Sequence, residues 1–227
     1  MKPNKIHSTA ILEGKVDLGE GNEIGPYAVI QGPVSIGNDN WIGSHVTIGA
    51  PGQDTRNPRY DSSNSRIEIG DNNIIREYTG IQKPCYRDIT RVGNNVFIMQ
   101  SVHIPHDAII QDHVVITPMV ALGGISRILK GANLAMGCTI HQYGVVGQYS
   151  IVAMGSALTK NVRPFAKYIP NKPIGVNEYA LAKFGFEDIK EEIFAYVMDN
   201  AKPNTPHLAA LVLEFEDMCK DSDRSTY

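Results

Sequence analysis

Aliphatic side chains recur at every sixth position of this chain, in three runs. The first is Ile6, Leu12, Leu18, Ile24, Ile30, Ile36, Ile42 and Ile48, and the second Ile69, Ile75 and Ile81. The longest is Val92, Ile98, Ile104, Ile110, Ile116, Leu122, Ile128, Leu134, Ile140, Val146, Val152 and Leu158. No polar residue intrudes. Neither helical spacing nor the two-residue alternation of a half-buried strand survives over comparable stretches. A six-residue period is the signature of a hexapeptide β-helix, each unit holding one short strand and one turn. Three units close a triangular coil, so residues eighteen apart stack at about 4.8 Å, the spacing of neighbouring strands. Many inward residues precede glycine, as in Ile24-Gly25, Ile36-Gly37 and Val92-Gly93, and glycine is expected there to take the backbone round the bend. The predicted fold class is all-β: a left-handed parallel β-helix with a short C-terminal α-helical tail.

The rhythm breaks twice, between Ile48 and Ile69 and between Ile81 and Val92. Loops at 51–66 and 83–90 are therefore expected to leave one face of a β-helix domain spanning residues 1–160, where such insertions usually build a binding surface. After Leu158 the repeat stops, and residues 161–227 read as a connector and helical region. Glu178 to Asn200 carries one helical pattern, and a further helix is expected to begin at Thr205-Pro206, with threonine as cap and proline at the first helical position.

A formal charge of −3 argues against bulk nucleic-acid binding. Neither a signal peptide nor a membrane-spanning segment is expected from the apolar runs present, and three scattered cysteines outline no disulfide framework. A cytoplasmic protein is expected.

Candidate chemistry lies inside the longest run. Counting by eighteens, His106 stacks on Gly124, Gly124 on Gln142, and Gly123 on His141. Two adjacent glycines flanked by His106, His141 and Gln142 outline a small groove on the outside of the prism. Asp107 follows His106 directly, and a carboxylate can orient an imidazole and raise its basicity, as a general base near neutral pH requires. The amide of Gly124, with no Cβ in the way, can approach a developing oxyanion. Zinc held by three histidines is the competing chemistry, but His103, His106, His113 and His141 lack the paired spacing it needs, so no metal is expected. Met136 and Met154 are also eighteen apart, and flexible apolar side chains suit a groove for a hydrocarbon tail.

The segments Gly52-Gln53-Asp54, Ile75-Arg76-Glu77, His103-Ile104-Pro105-His106-Asp107, His141-Gln142-Tyr143 and Gly175-Val176-Asn177 give the chain, over about residues 6–186, a specific likeness. It resembles the acyl-carrier-protein-dependent UDP-N-acetylglucosamine O-acyltransferases of lipid A synthesis. The resemblance implies His106 as general base, Asp107 as its partner and Gly124 as the oxyanion amide. It places Gln53, Asp54 and His103 where the sugar and its reacting group are held, and puts Arg56 at a position that is basic in the family. It matches His141 to the acceptor pocket with Gln142 beside it, and makes Asn177 a further substrate-binding candidate. Position 154 matches the site where the family sets acyl-chain length, so Met154, with Met136, implies a short or medium chain, 3-hydroxylated. It further implies a homotrimer whose sites lie between adjacent prisms. The departures are Ile125, where a histidine is typical, and Tyr179, Lys183 and Phe184, which replace a glutamate and paired arginines. Lys183 is expected to meet acceptor phosphate alone, without the bidentate geometry of an arginine fork.

The leading expectation is acyl transfer from an acyl-carrier-protein thioester to a hydroxyl or amine of a nucleotide-linked sugar, in lipid A or surface-polysaccharide synthesis. No bound cofactor is expected. An acetyl-coenzyme A-dependent nucleotide-sugar acetyltransferase is the alternative, and a non-catalytic β-helix scaffold the third. Lys160, Arg163, Lys167 and Lys172 form a basic cluster expected to dock the donor.

Overall fold

The computed structural model describes residues 2–54, 56 and 65–227. Most of the loop expected at 51–66 lies outside the described residues. Three sheets form a triangular prism, with ten, eight and seven strands among the described residues, and almost all neighbours are parallel. Each pairing joins residues one coil apart, as in Ile6↔Ile24 and Ile116↔Leu134. The fold is a left-handed parallel β-helix with short C-terminal helices. Ile24 to Leu158 of the six-residue series are all buried and fill the prism, whereas Ile6, in the first coil, is 45% exposed.

The two breaks in rhythm are insertions into single coils. Ile48 pairs with Ile81, 33 positions on rather than 18, and Ile81 pairs with Ile104, 23 positions on. Both insertions leave the corner between the second and third sheets: one between Thr47–Ala50 and Arg66–Ile69, the other between Gly80–Gln82 and Ile89–Val92. His106 and Asp107 occupy the same corner one coil later, between the strands His103–Ile104 and Ile109–Ile110. Gly123–Ile125 and His141–Tyr143 follow on the next two coils. One prism edge therefore collects both loops and every stacked polar group singled out above.

The glycines after the aliphatic residues have a different role from the one expected. The left-handed backbone falls two residues later, at Tyr27, Asp39, His45, Asn72, Asn95 and Tyr149, all with φ between 54° and 60°. Glycine is needed instead because successive corners touch. A Cβ on Gly70 would stand 2.3 Å from Asn94 Oδ1 and 2.7 Å from Gly93 O, and one on Gly147 2.5 Å from Pro164 N. The requirement is stacking distance, not turn conformation.

Beyond the prism, Ala166–Tyr168 still pairs parallel with Ile151–Val152, and Gly175–Val176 then turns back antiparallel. The single helix expected over 178–200 is two: α1 (Glu178–Phe184) and α2 (Lys190–Asp199), joined through a 3₁₀ turn at Glu187–Ile189. Gly185, at φ 77°, closes α1 with a left-handed cap whose amide returns to Leu181 O. Helix α3 (Pro206–Cys219) begins with proline as expected, but Thr205 makes no side-chain cap; its amide donates to Glu192 Oε1 at 2.8 Å.

Candidate active site

His106 and Asp107 sit in a turn that the prism holds from every side. Asp107 adopts φ 61°, which turns its carboxylate inward toward the 83–88 loop. There it accepts backbone N–H bonds from Cys85 and Tyr86, each 3.1–3.2 Å from both oxygens, and from Arg87 at 2.8 Å. Its own amide donates to Thr90 Oγ1 at 2.9 Å. Arg127 Nη1 donates to Asp107 O at 2.7 Å and to Ile125 O at 3.1 Å, tying two successive turns together. Asp107 is fully buried, so the three amides stand in for solvent.

His106 Nδ1 lies 2.7 Å from Asp107 Oδ2. A carboxylate already gathering backbone N–H groups is an acceptor, so Nδ1 carries the proton and Nε2 the lone pair. That lone pair faces Gly124: a Cβ there would stand 2.6 Å from Nε2 and 2.4 Å from Cε1. Only glycine fits beside the ring. Among the described residues the Gly124 amide donates to no acceptor, while its neighbours Gly123 and Ile125 donate to Ile140 O and His106 O. Ile125 itself is a β-branched residue at φ 62°, a conformation such side chains adopt only at a cost.

The open cleft beside His106 has a volume of about 670 Å³. Gln53, Asp54, Arg56, His103, His106, Gly124, His141 and Gln142 all line it, so eight of the candidate residues converge on one place. Burial, and then the neighbouring His106, push the His103 imidazole below its ordinary pKa. Asp54 accepts Arg56 N at 2.7 Å, Nε at 3.1 Å and Nη2 at 2.9 Å, and a hydrogen bond from Tyr86 OH. The Arg56 side chain first, and Tyr86 next, hold its carboxyl far below the usual range. Gln53 N donates to Gln82 Oε1 at 3.3 Å.

Sequence reasoning missed Tyr86 and Gln82, which also line the cleft, and Arg127, which braces it, and gave no role to Tyr143 beyond its place in the His141-Gln142-Tyr143 motif. The available signal for Tyr86 was its place in the second extruded loop. The remaining candidates lie on other edges. Met136 and Met154 are 48% and 73% exposed on the corner between the first and second sheets, one coil apart, with Gly155 N donating to Met136 O. Lys183 lies exposed on α1, its Nζ 5.1 Å from the Phe184 ring centre; that ring packs on Tyr149 at the third corner. Asn177 is buried, and its Nδ2 donates to Tyr149 O at 2.7 Å. Within one chain, these four do not share the His106 cleft. Of the basic cluster, Arg163 is engaged with Tyr227 O and Asn200 Oδ1, and Lys160 lies over the Tyr227 ring. Lys167 and Lys172 remain exposed.

The model described as Bacterial transferase hexapeptide (six repeats) matches residues 15–50 and 89–124. An acyl-[acyl-carrier-protein]–UDP-N-acetylglucosamine O-acyltransferase of Herminiimonas arsenicoxydans is 36% identical over 209 residues, 84% of this chain and 79% of that one. The chain belongs to this acyltransferase family. The protein of the same name from Aliivibrio fischeri (strain MJ11) is 34% identical over 210 residues, again 84% of this chain and 79% of that protein. Among solved structures, the UDP-N-acetylglucosamine acyltransferase of Bacteroides fragilis 9343 superposes with a TM-score of 0.75 at 26% identity, covering 99% of this chain and 98% of that one. The fold expected from the six-residue period and the family expected from the motifs are both borne out.

Proposed function

We propose that the protein moves an acyl group from an acyl-carrier-protein thioester to a hydroxyl or amine of a nucleotide-linked sugar, with His106 as general base. The observation that carries this reading is the imidazole of His106, anchored through Nδ1 on Asp107, with Nε2 beside the unobstructed amide of Gly124. Nε2 takes the proton of the acceptor group as that group attacks the thioester carbonyl. The carbonyl oxygen gains the charge, and the Gly124 N–H stabilises it. Collapse breaks the carbon–sulfur bond, and the departing thiolate takes the proton back from the imidazolium. Asp107 steadies the imidazolium between the two transfers.

The family relatives' names give acyl-carrier protein as donor and UDP-N-acetylglucosamine as acceptor, which supports this donor over coenzyme A. The cleft is lined by polar side chains able to hydrogen-bond a sugar: Gln53, Asp54, His103, His141 and Gln142. The exposed methionine edge and Lys183 complete the site across neighbouring prisms of a homotrimer, with the acyl chain running along Met136 and Met154, while the buried Asn177 supports the Tyr149 corner from within. The setting proposed is lipid A or surface-polysaccharide synthesis in the cytoplasm. Among the described residues no helix is long and apolar enough to cross a membrane.

Mass spectrometry of products from a panel of acyl-carrier and coenzyme A thioesters, offered with several nucleotide sugars, tests the proposal. The expected product is a nucleotide sugar carrying one short or medium 3-hydroxyacyl group, formed from the carrier-protein donor. Acetylation from coenzyme A alone would select the alternative donor. No acylated product from any pair would remove the enzymatic reading.

A further inference from the structure

The end of the described chain returns to the cleft. Asp221 pairs with Arg87 of the second loop at 3.0 Å, and Thr226 bridges in parallel to Asn161 beyond the last full coil. Asn161 N donates to Ser225 O at 2.9 Å, its Nδ2 to Arg224 O at 3.0 Å, and Tyr227 N donates back to Asn161 O at 2.9 Å. These contacts fix the backbone on both sides of Arg224 and aim its side chain along the prism edge.

Arg224 spends its N–H groups on that edge. Nε donates to Gln142 O at 2.7 Å, Nη1 to Thr159 O at 3.0 Å, and Nη2 lies 2.5 Å from Nδ1 of His141. A guanidinium has only donors to offer, so Nδ1 of His141 must accept. The competing arrangement is visible in the same place. Nδ1 lies 3.4 Å from Gln142 O, where a protonated Nδ1 would find its acceptor. Arg224 donates to that same carbonyl and also places an Nη2 N–H against Nδ1, and it is this second donor that disfavours the Nδ1–H tautomer.

We propose that Arg224 is a positioning residue for the acceptor site. By holding His141 through Nδ1, it leaves the ring proton on Nε2, and His141 presents a hydrogen-bond donor to the cleft it lines. The partner implied is an oxygen of the acceptor, whether hydroxyl, carbonyl or phosphate. This assignment rests on the acyl-transfer reading for its substrate but not for its chemistry on His141.

The test has two arms on the full-length protein. In the first, imidazole ¹⁵N shifts of His141 are recorded near pH 8 in the wild type and in Arg224→Ala. The wild type should show a bare Nδ1 and a protonated Nε2, with Arg224→Ala shifting the ring toward Nδ1–H. Identical ring shifts in the two proteins, or a protonated Nδ1 in the wild type, would overturn the proposal without reference to any substrate. In the second arm, Arg224→Ala, His141→Ala and the double variant are compared for nucleotide-sugar KM and kcat. Loss of one such hydrogen bond should raise KM about tenfold in each single variant with kcat nearly unchanged. The double variant should be no worse than His141→Ala alone. Multiplying effects, or an unaltered KM in Arg224→Ala, would also overturn it. A wild type that turns over no nucleotide sugar would count against the acyl-transfer reading instead, and the first arm would still decide the role of Arg224.

Discussion

At the scale of single residues, the site depends on what surrounds Asp107. Its carboxylate is fully buried and accepts N–H bonds from three consecutive backbone amides, Cys85 to Arg87, in addition to holding His106. Asp107→Asn would turn an NH₂ group toward at least one of those donors. Leaving buried donors unmatched costs about 1–3 kcal/mol, so the variant should melt earlier. It should also lose turnover, though less than the roughly 10²–10⁴-fold expected for removing a general base, because the imidazole remains. Thermal unfolding together with kcat checks both. A stable variant with normal turnover would show that His106 does not need its carboxylate. Ile125 belongs to the same scale. A β-branched residue at φ 62° costs about 1–3 kcal/mol and persists only where its surroundings over-determine it. Its amide donates to His106 O and its carbonyl accepts from Arg127, so the turn carrying Gly124 is pinned on both sides.

At the scale of elements, the prism converts sequence spacing into geometry with almost no freedom. A residue eighteen positions from another lies directly above it, which is why His106, Gly124 and Gln142 could be brought together from the sequence. The same arithmetic put Met154 above Met136, and the structure shows both on an exposed edge. If that edge lines the donor's hydrocarbon tail, Met154→Gly should shift preference toward longer acyl chains, measured across a ladder of acyl-carrier donors. An unchanged profile would remove Met154 from the acyl path. Where the repeat ends, the arithmetic ends with it. The break between α1 and α2 was missed although Gly185 marked it, because the apolar pattern continues through Leu181, Phe184, Ile189 and Ile193 on both sides. The corner glycines were found but misread, since a stacking contact and a turn conformation leave the same residue in the sequence. The three amides on Asp107 were not legible at all: any residue types can donate backbone N–H groups, and only the loop's path decides that they do.

At the scale of the whole molecule, the three prism edges divide the labour. One carries His106 and the cleft, one the exposed methionines with Tyr27 and Tyr78, and one the aromatic cluster of Tyr149, Phe165, Phe184 and Phe186 on which the C-terminal helices dock. Candidate residues on all three edges meet only if neighbouring copies face one another, which is the physical argument for the proposed trimer. The return of the chain to the cleft was beyond sequence reasoning, because Arg224 and His141 are 83 positions apart with no period connecting them. Family membership fixes the class of chemistry, and His106 is the group proposed to perform it. The most direct measurement is kcat for acyl transfer from a carrier-protein thioester to a nucleotide sugar, in wild type and in folded His106→Ala. The geometry predicts a loss of roughly 10²–10⁴-fold, with the prism intact because the ring projects from a coil into the cleft. Near-normal turnover in the folded variant would contradict it.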